Sequence, residues 1–181
     1  PLAHQPAPPP QLTGASSVDQ CSSDRFEEYA PVRQGRFARL RQGTVYPHAY
    51  QAHASTETCP GQSTILTGAR PSRTGIIANF WQDLSQTRSD KAVYCAEDER
   101  VAGSSSLLYT VSPVHLKVPT MGQYMKHQWP GSRTVAIAGK DRAAGVRSGE
   151  QPDQRRDGKG ETDARRPTGG AGAPRERHGR G

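Results

Sequence analysis

Long apolar runs are missing from this chain of 181 residues, and so are most of the side chains from which cores are built. Hydrophobic residues make up 32% and aromatic ones 6%, and mean hydropathy is -0.82, against an apolar share of about 45–50% in ordinary domains. The deficit sits at the two ends, which leaves room for one ordinary core between poorly packing flanks. No segment is long and apolar enough to predict a membrane-spanning helix. Residues 1–10 have neither a basic start nor an apolar stretch, so they do not read as a signal peptide. Cysteine is scarce as well. Cys21, Cys59 and Cys95 make an odd set without a Cys-x-x-Cys pair, which indicates neither a zinc knuckle nor a complete disulfide framework and leaves open one bridge plus one free thiol.

Charge is what the chain has in excess. Net charge is +7, and much of it lies in residues 145–181, which hold no Leu, Ile, Phe, Tyr, Trp or Met and abound in Arg, Gly, Asp and Pro. Such a segment cannot bury enough apolar surface to offset ordering and is expected to be a disordered Arg/Gly-rich tail. Out-of-frame translation of a GC-rich gene is a second origin for it, one that the other two reading frames of the coding DNA would reveal. A basic nucleic-acid-binding protein using Arg155, Arg156, Arg165, Arg166, Arg175 and Arg177 is the alternative from another class. It is disfavoured because the tail carries no aromatic residue on which a base could stack. The expected domains are a disordered or non-native segment 1–14, a domain over 15–144 and the tail 145–181.

Within that domain the chain is organised around residues 56–81. Thr58-Cys59-Pro60-Gly61 through Thr67-Gly68 reads as a loop ending in a helix. Pro60 suits the first turn and Gly68 the C-terminal cap. A hydroxyl at Thr58 would then face unpaired N–H groups and the positive end of a helix dipole, where a phosphate is favoured. An ordinary N-cap role for Thr56 or Thr58 is the competing explanation.

Elsewhere, residues 22–42 show an amphipathic pattern in two helical pieces and residues 44–47 a short strand. His48 and His53 flank the Thr58 loop without a carboxylate at a recognisable spacing, so a Ser/His-type mechanism is not expected from them. Glu97 and Asp98 fit a solvated turn. Thr120 is placed to cap a helix. Residues 134–142, Thr-Val-Ala-Ile-Ala-Gly-Lys-Asp-Arg, read as a buried parallel strand that ends in two cations. Lys140 and Arg142, one residue apart, point to the same side and can grip a tetrahedral anion, the arginine as a fork and the lysine as a point charge.

Taken together, Thr58, Pro60, Gly61, Thr67, Gly68, the Gly75-Ile76-Ile77-Ala78-Asn79 stretch and the Lys140-x-Arg142 pair resemble the alkaline phosphatase superfamily. The similarity is to its threonine-nucleophile bacterial branch, related to type I phosphodiesterases/nucleotide pyrophosphatases. Gln62 departs from the His usual after Pro-Gly. The resemblance implies an α/β fold, a parallel sheet sandwiched by helices. It implies a zinc-dependent phosphomonoesterase with two Zn2+ ions, a phosphothreonine intermediate on Thr58, and Asn79, Lys140 and Arg142 on the substrate phosphate. Asp19, after the apolar Val18, matches the first zinc ligand, and Thr58 is the second ligand present. The later Asp-x-x-x-His and Asp-His ligand pairs do not occur in this sequence, so the chain is expected to be an N-terminal part of the enzyme, incomplete as a sheet and inactive alone. A periplasmic or secreted location and phosphate monoester substrates follow from the same resemblance. A phosphodiesterase is the alternative within the superfamily. That branch lacks the Lys-x-Arg clamp, and a monoester's extra negative charge gains more from two cations. A sulfatase is disfavoured because Thr58 and Gln62 replace the first and last residues of its nucleophile motif.

Overall fold

A computed structural model of the chain describes residue 8 and residues 11–32, 34–149, 153–157 and 160–162. It divides into two units, Pro1–Ala52 and His53–Gly181. The first carries α1 (Ser23–Glu28), a 3-10 turn (Ala30–Val32) and α2 (Arg36–Leu40), the two helical pieces expected there. Helix α1 starts where the Ser22 hydroxyl accepts from the Arg25 N–H at 3.3 Å, satisfying one unpaired donor of the first turn. Phe26 and Phe37 meet edge to face with 6.3 Å between centroids. Arg25–Glu28 and Arg41–Glu27 are exposed ion pairs, which add little stability. No described residue of this unit is buried. Residues 12–18 and 44–47 form no strand. The small residues 13–17, Thr-Gly-Ala-Ser-Ser, supply no large apolar side chains to pack ahead of Val18.

The second unit holds the core. Helix α3 (Thr58–Thr67) is followed by α4 (Pro71–Thr74), and strands β1 (Phe80–Gln82) and β2 (Ala92–Tyr94) pair antiparallel with Trp81 opposite Val93. Helix α5 (Met121–Gln128) opens on a capping box, the Thr120 hydroxyl accepting from the Gln123 N–H at 3.4 Å and the Gln123 amide oxygen from the Thr120 N–H at 2.8 Å. Strand β3 (Val135–Ile137) then leads through α6 (Asp141–Ser148) to a parallel strand β4 (Gln154–Asp157), with β5 (Gly160–Thr162) antiparallel beyond it. This β3–α6–β4 crossover is the unit from which α/β folds are built. Cys59, Ile76, Tyr94, Cys95, Ala96 and Leu116 form the buried cluster. Gly75 has φ 81°, and a Cβ there would sit 2.8 Å from the His115 carbonyl oxygen, so only glycine fits where α4 turns under that loop.

Three expectations change. Strand β3 is short and buries only Ala136, while Val135 and Ile137 on its other face stand 58% and 66% exposed. Helix α6 runs past the boundary expected after Ala144, and β4 and β5 lie within the segment expected to be disordered. Backbone ladders need no apolar side chains. The entry to β4 is also held by Asp153, which accepts from the Thr134 N–H at 2.6 Å and pairs with Lys126 at 2.8 Å. Residues 163–181 of the expected tail, and residues 1–7, 9 and 10 of the expected N-terminal segment, lie outside the described residues.

Candidate active site

Thr58 is the first residue of α3, and the N-cap is Glu57. Neither Thr56 nor Thr58 therefore serves as the ordinary cap. Glu57 makes no side-chain bond to its own helix. Its carboxylate instead accepts from the Asn79 N–H at 2.5 Å. The Asn79 side-chain oxygen in turn accepts from the Cys59 N–H at 2.9 Å. With its oxygen engaged by Cys59, the residue after Thr58, Asn79 has its amide nitrogen as the group to donate elsewhere. The start of α3 is fixed a third way by a disulfide, Cys59–Cys95, with a Cα–Cα distance of 6.4 Å. Cys95 N–H also donates to the Asn79 carbonyl at 3.0 Å. Cys21 lies outside the disulfide and is exposed.

Strand β2 carries this scaffold towards the two cations. Tyr94, beside Cys95, is 2% exposed, stacks against Phe80 at 4.8 Å and against Tyr109 at 4.7 Å, and donates its hydroxyl to the Asp141 carboxylate at 2.9 Å. Tyr109 donates to the other Asp141 oxygen at 2.8 Å. Arg142 binds the same cluster, its N–H reaching Asp141 at 2.7 Å and its guanidinium the Tyr94 hydroxyl at 3.4 Å. Lys140, exposed, is the N-cap of α6, and α6 packs against α3. Burial first, and the neighbouring carboxylate next, pushes the Tyr109 hydroxyl above its ordinary range. Burial also raises that of Tyr94, the Arg142 bond opposing it. Both phenols therefore stay protonated, and act as donors, across the neutral and alkaline range.

Other features were not visible in the residue pattern. Glu97, expected in a solvated turn, is 0% exposed and bonded to Arg88 at 2.5 Å. The same guanidinium donates to the carbonyls of Asp90, Ala92 and Ser104 at 2.8, 2.6 and 3.1 Å, bracing β2 from the far side. Asp141, set between two cationic neighbours in the sequence, is 7% exposed. His53 lies 3.4 Å from the Thr64 hydroxyl, inside the helix rather than at its start.

Asp19 occupies an exposed turn of the first unit, next to Gln20 at φ 59°. Among the described residues no three His, Cys, Asp or Glu side chains gather as a metal site. Asp19 and Thr58 are two donors where zinc uses four. These residues do not by themselves fit a zinc ion.

The type I phosphodiesterase/nucleotide pyrophosphatase family profile matches residues 17–153. The chain belongs to that family, and through it to the alkaline phosphatase superfamily. It is 58% identical over 149 residues to alkaline phosphatase PhoK of Sphingomonas and 50% identical over 152 residues to alkaline phosphatase PhoD of Zymomonas mobilis. These matches cover 82% and 84% of this chain but 27% and 26% of those proteins, so the chain spans about a quarter of their length. The crystal structure of wild-type alkaline phosphatase PafA superimposes with a TM-score of 0.67 at 29% identity, over 76% of this chain and 27% of PafA. A PafA variant with one threonine, one asparagine, one lysine and one arginine replaced superimposes with a TM-score of 0.65 at 27% identity, over the same shares of the two chains. The alkaline phosphatase-like α/β fold expected from the sequence is the fold observed.

Proposed function

We propose that this chain forms the nucleophile and phosphate-binding part of a phosphate monoester hydrolase. The observation that carries the reading is the bond from the Cys59 N–H to Asn79, which couples a phosphate donor to the start of α3 beside Thr58. In the proposed reaction the Thr58 oxygen forms a bond to phosphorus as the bond to the alcohol breaks, leaving a phosphothreonine that water hydrolyses. Asn79, Lys140 and Arg142 stabilise the charge on the remaining phosphoryl oxygens. The two zinc ions that the resemblance implies need ligands beyond Asp19 and Thr58. The threonine and asparagine changed in the PafA variant lie 21 positions apart and the lysine and arginine two apart, the same spacings as Thr58 to Asn79 and Lys140 to Arg142. That agreement supports assigning the four roles here.

Monoesters are preferred to diesters because the similar proteins PhoK, PhoD and PafA are named alkaline phosphatases, and because a dianionic terminal group draws more from the Lys140–Arg142 pair. The Cys59–Cys95 disulfide supports a periplasmic or secreted location, since such bridges persist in oxidising compartments. The test is a chimera in which residues 17–153 replace the matching part of the Sphingomonas enzyme. It should hydrolyse p-nitrophenyl phosphate with a higher kcat/KM than bis(p-nitrophenyl) phosphate. Faster diester turnover would overturn the choice.

A further inference from the structure

Between Lys140, which is exposed, and Arg142, which is half-buried, lies a residue whose side chain is buried. Asp141 is 7% exposed and its carboxylate collects three donors: the Tyr94 hydroxyl at 2.9 Å, the Tyr109 hydroxyl at 2.8 Å and the Arg142 N–H at 2.7 Å. A buried carboxylate is costly unless its lone pairs are filled, and here two of the three donors come from residues more than thirty positions upstream. Tyr94 serves twice, since its hydroxyl also receives the Arg142 guanidinium at 3.4 Å. The same tyrosine adjoins the cysteine bridged to Cys59, beside Thr58. The cations are thus referenced to the nucleophile helix through Asp141, Tyr94 and the disulfide.

We infer that Asp141 is a positioning residue for phosphate binding: with the Tyr94 and Tyr109 hydroxyls it fixes the turn that aims Lys140 and Arg142 at the anion. This rests on the phosphate-binding role proposed above for those two cations. The charge of Asp141 gives the inference a direction that can fail. A carboxylate near a phosphate repels it, so if Asp141 acted only through its charge, removing that charge would tighten binding. If it positions the cations, removal weakens binding despite the relieved repulsion.

The experiment is a 31P NMR titration of the 181-residue chain with inorganic phosphate, folding of each variant being checked by circular dichroism. Asp141→Ala should weaken binding about tenfold, the size of one lost well-formed polar interaction in a desolvated site. Tyr94→Phe/Tyr109→Phe, which keeps both rings, should weaken it comparably, and the triple variant no further than either. A role in stability alone would lower the melting temperature without moving the affinity of the folded chain, and that result overturns the inference, as does tighter binding in Asp141→Ala. Lys140→Ala and Arg142→Ala separate the two levels of the reading. If they leave phosphate binding intact, the proposed phosphate site is wrong and the positioning role falls with it. If they weaken it while Asp141→Ala and the tyrosine variants do not, the site stands and the positioning role alone is rejected.

Discussion

The Asp90 carboxylate accepts from the Ser106 N–H at 2.9 Å, from the Ser106 hydroxyl at 2.8 Å and from the Ala92 N–H at 3.0 Å. These bonds, those from Ser106 foremost, hold its pKa below the usual carboxylate range. A depressed folded value means that the unfolded state binds the proton more readily. The contribution is therefore fully present above the unfolded value of about 3.9 and is lost as pH falls through the lower folded one. Ser106→Ala should destabilise the chain at pH 7, and the gap from the unsubstituted protein should narrow as urea unfolding is repeated from pH 5 down to pH 3. A gap independent of pH would show that the hydroxyl contributes packing and not carboxylate binding. At this scale the sequence was legible where residues act alone. Thr58, Asn79 and the Lys140–Arg142 pair, to which the proposed roles are given, stand in short motifs that a family resemblance can mark. Asp141, Glu97 and Arg88 do not, since each takes its role from a partner nine or more residues away. Two cations around an aspartate look like a surface turn until Tyr94 and Tyr109 are seen to converge on it.

Helix α3 is the element on which the site depends. Pro60 and Gly68 made its ends readable in advance, and Gly68 does adopt the left-handed cap with φ 67°. Its anchoring was less readable, because three cysteines permit several pairings and only the fold brings Cys59 to Cys95. That bridge closes a loop with a sequence separation of 36, for which chain-entropy arguments give about 3–4 kcal/mol. Cys59→Ala/Cys95→Ala should lower the unfolding free energy by that order, measured in urea without reductant. A loss below about 1 kcal/mol would mean that the packing around Cys59, Ile76 and Leu116 sets the start of α3 without the bridge. Strand β3 shows the opposite limit of sequence reading. Its run of small and branched residues announced a strand, but how much of it is covered depends on what packs against Val135 and Ile137, and composition does not encode that. The β4–β5 pair carries no apolar signal for a related reason, its ladder being built from backbone in a segment rich in Arg and Gly.

Over the whole molecule, the second unit gathers the buried cluster and the residues proposed to hold phosphate, while Asp19 belongs to the first. Exposed Ile65, Ile77, Leu84, Val135 and Ile137 give the second unit considerable apolar surface. The chain spans about a quarter of the length of PhoK and PhoD. Thr58 is the residue proposed to take the phosphoryl group. That role is tested most directly in the chimera with the Sphingomonas enzyme, by acid quench during turnover of a 32P-labelled monoester and mapping of the label by peptide mass. The label should lie on Thr58, move to the serine in a still active Thr58→Ser variant, and vanish with a loss of turnover of several orders of magnitude in Thr58→Ala. Label on any other residue, or undiminished turnover in Thr58→Ala, would rule out Thr58 as the nucleophile.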